Sequence, residues 1–195
     1  MIKLLKSFFV VFSAVFIAVL STGAYFSDSE SSAGNTFSAG TWYSAPDVVI
    51  NEVYYDVDTT KGEVEGTNEW VEIFNNENGS VNLKNWKIKD SSATERTFTS
   101  DFIIPGKSFA LITNNASTWA FWPTIPTGIA KYALGSNIGS GLNQDADSVV
   151  LKDNTNNIIS QMDYTTGADG FSWQRQPVVS GSFILNSAPT PGLGI

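Results

Sequence analysis

No long amphipathic helical pattern runs through this chain; what recurs is a short stretch of β-branched and aromatic residues closed off by a turn. Asp47-Val-Val-Ile-Asn-Glu-Val-Tyr54 is the first such run. In Glu69-Trp-Val-Glu-Ile-Phe-Asn75, Val71 and Ile73 fall on one face, and Trp86 and Ile88 alternate with Lys87 and Lys89. Thr94 to Thr99, Phe109 to Thr113, Ser148 to Leu151 and Asn157 to Tyr164 add further runs. Between them stand Asn78-Gly79, Pro105-Gly106, Gly139 to Gly141, Asp153 to Asn157 and Gly167 to Gly170. Those residue types supply the left-handed or preset dihedrals that tight turns need. A period of two with such punctuation predicts an antiparallel sandwich or barrel. Ala116 to Ala133 breaks the pattern: Trp119, Phe121 and Trp122 with Pro123 and Pro126 predict a long connection with room for one helical turn.

The N-terminus has a different grammar. Lys3 and Lys6 precede an apolar run from Ser7 to Leu20, and small residues follow at Ser21, Thr22, Gly23 and Ala24. That is the order of a secretory signal, with Thr22 and Ala24 small enough for the −3 and −1 positions and cleavage between Ala24 and Tyr25. The run is shorter than the roughly 20 residues of a comfortable membrane span. An uncleaved N-terminal anchor is the alternative. Three parts follow: a signal helix over residues 1–24, a flexible leader or N-terminal strand over 25–46, and a β-domain over 47–195. In the leader, Phe26, Phe37 and Trp42 punctuate a Ser-, Gly- and Asn-rich stretch. Phe37 and Trp42 give it apolar side chains to bury, so it could add a strand to a sheet edge of its own or of a neighbouring subunit.

Charge and composition exclude more than they suggest. The chain carries 11 Lys and Arg against 19 Asp and Glu. Removing Met1 to Ala24 takes two basic and no acidic residues, which leaves nine against nineteen, a balance of −10. Nucleic acid and anionic lipid would be repelled at long range. There is no His and no Cys, so Ser-His-Asp and Cys-His nucleophiles, ordinary zinc sites and His acid–base chemistry are out. Carboxylate-pair catalysis and oxygen-ligated Ca²⁺ or Mg²⁺ stay open. No cofactor is expected.

Two carboxylate groupings bear on that opening. Glu52 and Glu72 sit mid-strand, and exposed strand faces explain them more simply than a catalytic pair. Asp56, Asp58, Glu63 and Glu65, with Glu69, crowd one loop beside Gly62 and Gly66. Hard cations favour several oxygens on a flexible loop, but the spacing is not that of an EF-hand, and a solvated acidic loop is the plainer reading. Among the tryptophans, Trp70, Trp86 and Trp173 occupy strand-like positions and belong to sheet packing. Trp119 and Trp122, in the irregular connection, are the candidates for a surface contact.

Two stretches resemble known families. Val49-Ile-Asn-Glu-Val-Tyr54, Asn68-Glu-Trp-Val-Glu-Ile-Phe-Asn75 and Val81-Asn-Leu-Lys-Asn-Trp-Lys-Ile-Lys-Asp90 look like the opening half of a lamin-tail domain. Ile104-Pro-Gly-Lys-Ser-Phe-Ala-Leu-Ile-Thr113 resembles its middle. Gly141-Leu-Asn-Gln-Asp-Ala-Asp-Ser-Val-Val-Leu-Lys-Asp153 and Pro189-Thr-Pro-Gly192 resemble its end. Over Asp47 to Gly192 this implies an immunoglobulin-like sandwich and a binding or anchoring role, and it brings no catalytic residues. Gly23-Ala-Tyr-Phe-Ser-Asp-Ser-Glu-Ser-Ser-Ala-Gly-Asn-Thr-Phe-Ser-Ala-Gly-Thr41 is similar to the start of camelysin/TasA-type proteins. That likeness implies export and, in those relatives, extracellular fibres.

The expectation is therefore an all-β, secreted or cell-surface, non-enzymatic structural or binding module. Its partner would be a protein or cell-surface component, itself included, with no membrane contact after cleavage. The alternatives are a fibre subunit joined by its N-terminal strand and a polysaccharide- or nucleic-acid-targeting module for a partner enzyme; the acidic balance counts against nucleic acid.

Overall fold

The computed structural model of the chain describes residues 45–194. The expected signal helix, the expected Ala24–Tyr25 cleavage junction and Phe26, Phe37 and Trp42 of the expected leader lie outside them.

Twelve strands follow in chain order: β1 (Val48–Tyr54), β2 (Trp70–Asn75), β3 (Val81–Asn82), β4 (Lys87–Lys89), β5 (Glu95–Thr97), β6 (Ile103–Ile104), β7 (Ser108–Thr113), β8 (Ala130–Ala133), β9 (Ala146–Lys152), β10 (Ile158–Thr165), β11 (Ser172–Gln176) and β12 (Ser182–Asn186). One sheet has the order β12-β11-β1-β2-β7-β8, a second β10-β9-β4-β5, and β3 pairs with β6. Every pairing is antiparallel except β7 with β8. The only helical segments among the described residues are short 3₁₀ turns at Thr59–Lys61 and Ala116–Phe121. The described residues are all-β, an immunoglobulin-like sandwich as the strand pattern and the resemblance predict.

The main core lies between the two larger sheets. Val71 and Ile73 from β2 meet Ile88 from β4 and Val149 and Leu151 from β9, with Trp86 beside them at 5 % exposure. Alternation thus does what the sequence implies for β2 and for Trp86 with Ile88.

β1 does something the period of two hides. Its register against β2 slips between Ile50 and Glu52, so that Ile50 faces Ile73 while Glu52 faces Glu72. Asn51 is the extra residue of this β-bulge, and a bulge reverses the alternation beyond it. Val48 and Ile50 enter the core before it, Val53 and Tyr55 after it. Glu52 and Tyr54 therefore point the other way, to the outer face of the six-stranded sheet.

Turns are fixed by side chains the sequence marks out. Asn85 adopts φ 68°, the left-handed region that Asn tolerates. Asn75 donates through Nδ2 to the carbonyls of Gly79, Ile104 and Pro105 at 2.9–3.0 Å, tying two turns together. Gly106 is needed there for space: a Cβ would come within 2.2 Å of the Asn78 carbonyl oxygen.

The long connection departs from expectation in one respect. Its first part is the 3₁₀ turn, but its last residues form β8, which pairs in parallel with β7 from Ala110↔Ala130 to Thr113↔Ala133. Four residues with one Tyr carry too little pattern to announce a strand; the partner creates it.

Candidate functional site

The outer face of the six-stranded sheet holds the chain's most unusual chemistry. Trp70 and Glu72 are two residues apart on β2 and so share this face with Tyr54 and Glu52. Tyr54, Val57, Trp70 and Leu111 are all fully buried in a second apolar cluster, separate from the main core. Trp119, Trp122, Ile125 and Ile129 of the long connection cover it. Trp122 stands edge-on to both Tyr54 and Trp70, with ring centroids 5.1 and 5.6 Å away, and Tyr54 stacks on Trp70 at 5.4 Å. Those are separations of rings in contact, so no ligand fits among the three.

Trp119 and Trp122, singled out for a surface contact, are thus half-buried lids on this cluster. Trp119 keeps one partner at its rim, the Lys131 ammonium 5.8 Å from the ring centroid. Trp70 is buried on the outer face and Trp86 in the main core, while Trp173 is half-buried at the core's edge and donates to the Thr165 carbonyl at 2.8 Å.

Beside the aromatic cluster, Glu52 and Glu72 are both 0 % exposed. The expectation of exposed strand faces fails for both. The outer face is roofed by the C-terminal segment, residues 189–194, and the bulge at Asn51 turns Glu52 under that roof. Glu52 accepts from Ser172 Oγ, from the Thr190 backbone N–H at 3.2 Å and from Thr190 Oγ1 at 3.2 Å. Glu72 accepts from Asn51 Nδ2 at 2.7 Å and from the Gly192 N–H at 2.5 Å. No Lys or Arg pairs with either among the described residues. Burial, opposed by the donors of Ser172 and Thr190, raises Glu52 to about 6. Burial and the neighbouring Glu52 charge raise Glu72 to about 8, as desolvation and a like charge must.

The loop acids are spent differently. Glu63 accepts the Tyr54 hydroxyl at 2.6 Å and the Asp58 N–H at 3.0 Å. Glu65 accepts the Val57 N–H at 3.2 Å, and Asp56 the Gln144 side-chain amide at 3.2 Å. Asp58 caps the first 3₁₀ turn through the Thr60 N–H at 3.1 Å and meets Lys61 at 3.1 Å. Glu69 is buried and accepts the N–H groups of Gly66 and Leu142 at 2.9 and 3.2 Å; burial lifts it to about 7. Glu63, Glu65 and Asp58 close their own loop, while Asp56 and Glu69 tie it to residues 142–144, and among the described residues no three carboxylates are grouped so as to hold a metal ion.

Sequence reasoning missed the outer-face pair. Residues 48–50 and 53–55 are apolar or aromatic at every position, which fits a strand with either face inward, and the step of the core positions from even to odd appears only in the structure. The one signal in the sequence was Trp70, two residues before Glu72 and so on the same strand face.

The comparisons agree with this architecture. The family model for the Lamin Tail Domain matches residues 42–166, somewhat short of the 47–192 span over which the motifs resemble it. No curated protein matches the chain. The family is a non-enzymatic, immunoglobulin-like one whose fold serves generally for binding and structure. With a two-sheet all-β sandwich and a match over well more than half of its length, the chain belongs to the lamin tail domain family.

Proposed function

We propose that this chain is an exported, non-catalytic module that works in structure or binding at the cell surface or in the extracellular matrix. One observation carries the non-catalytic part. Among the described residues, the only two carboxylates that face each other as cross-strand partners, Glu52 and Glu72, are roofed by residues 189–194 and accept hydrogen bonds from them. A general acid–base pair has to reach a substrate, and these two face their own chain. Export is supported by the basic, apolar and small-residue order of Met1 to Ala24.

A second reading is a fibre subunit that assembles through its leader. What favours it is the camelysin/TasA-like stretch from Gly23 to Thr41, which falls before the lamin-tail match begins. A module that targets polysaccharide has only the Trp119 rim to recommend it.

The test of export is expression of the chain from Met1, followed by fractionation and intact-mass measurement. The expected product is in the medium and begins at Tyr25. A cell-bound species that retains Lys3 contradicts cleavage and makes the segment an anchor.

A further inference from the structure

The two larger sheets end in four edge strands, and edges left open are templates for pairing with another chain. Charge guards three of them. β8 carries Lys131, β5 carries Glu95 and Arg96, and β10 carries Asp163. β12, Ser182-Phe-Ile-Leu-Asn186, has no charged residue, no Pro and no bulge in its pairing with β11. Ile184 and Leu185 are each 40 % exposed on it. Among the described residues no strand pairs with its outer side.

We propose that β12 is a self-association edge through which two copies of the chain join antiparallel about a two-fold axis. A surface that meets its own copy must place no like charges opposite each other. In the register that uses the whole strand, Arg96 at the centre of β5 would meet its twin, and β8 and β10 would each bring a charge into the joint, whereas β12 meets only neutral side chains. This matters in a chain of net charge −8, whose copies repel over most other approaches. Two-fold pairing is also the commonest closed arrangement, and it would merge two six-stranded sheets into one. The register that uses the whole strand sets Ile184 opposite Ile184 and Ser182 opposite Asn186. The fold presents the strand firmly: Arg175 on β11 lies 4.2 Å over the Phe183 ring, and Asn186 Nδ2 donates to Gln174 at 3.0 Å.

The chain has no Cys, so single cysteines report the register without background. The experiment uses the full chain, expressed from Met1 and purified as the cell leaves it. Directly opposed antiparallel positions bring Cα atoms to roughly 4.5–5.5 Å, within the range a disulfide spans. The expected result is that Ile184→Cys oxidises to a covalent dimer and that mixed Ser182→Cys and Asn186→Cys chains cross-link to each other rather than to themselves. Ile184→Lys, at an exposed position, should weaken the dimer by at least about tenfold in sedimentation, since it places like charges face to face. Gln161→Lys on β10 should leave it unchanged. A monomeric wild type, or absence of both cross-links, overturns the proposal. So does an oligomer that survives Ile184→Lys or vanishes when residues 25–44 are removed, the latter giving the edge to the leader instead.

Discussion

Glu52 and Glu72 stand directly opposite each other across β1 and β2, both shut away from solvent and both bonded to the backbone of the same C-terminal segment. Strand pairing normally separates like charges, because opposed ones destabilise the ladder. Here the pair is kept by what it holds: Thr190 and Gly192 find acceptors under a roof that would otherwise bury their N–H groups unpaired.

That arrangement makes stability depend on pH in a defined direction. Glu72 titrates at about 8 in the fold and near 4.5 in the unfolded chain, so the native state holds the extra proton. The neutral acid's stability is fully present below about pH 4.5 and is lost as pH rises to about 8. Glu52, at about 6, adds a smaller loss of the same sign. Glu72→Gln removes the titration while keeping an acceptor. Denaturant melts from pH 5 to 9 should show wild type weakening by several kcal/mol, on the order set by linkage, and the variant weakening distinctly less, keeping only the losses that Glu52 and Glu69 contribute.

Two tryptophans should cost alike although they serve different layers. Trp86→Ala opens the main core and Trp70→Ala the outer cluster, each losing about 3–5 kcal/mol. Urea melts measure both. The same melts with and without EDTA should coincide. A loss below about 1 kcal/mol would put the side chain on the surface.

Asp153 offers a test in the opposite pH direction. It is buried and accepts from Thr155 N–H and Oγ1 and from Asn157 N–H, each at 2.8 Å. Burial alone would raise its carboxyl, but the donors of Asn157 and Thr155 outweigh it and hold the group below the usual aspartate range. Its contribution is therefore present above pH 3.8 and fades as pH falls through the lowered value. Asp153→Ala should destabilise by about 1–3 kcal/mol at neutral pH, and by less in acid.

Asn75→Ala should separate the two turns that this side chain joins. Three carbonyls lose their donor, and buried acceptors left unpaired cost about 1–3 kcal/mol. Amide exchange should speed up around Gly79 and Gly106 while the main core stays protected.

The core strands were legible because each keeps strict alternation: Val71 with Ile73, and Trp86 with Ile88, read inward from sequence and pack inward. Asn85 and Pro105-Gly106 were legible because turn dihedrals select residue types. Three things were not. The bulge at Asn51 reverses a period that a reader extends, which is why Glu52 looked exposed. β8 exists through its pairing with β7, a contact no local window contains. The roof over the outer face is made by residues more than a hundred positions from β1 and β2, so Glu72 and Trp70 gave up their burial only in three dimensions.

The most direct test of a sealed, structural carboxylate pair is hydrogen exchange at the Thr190 and Gly192 amides in the native chain. If Glu52 and Glu72 hold the C-terminal segment, both amides exchange as slowly as those of β1 and β2, and Glu52→Ala or Glu72→Ala releases them. If both exchange at the rate of a free peptide in the wild type, the outer face is open, the pair can reach a substrate, and the non-catalytic reading is contradicted.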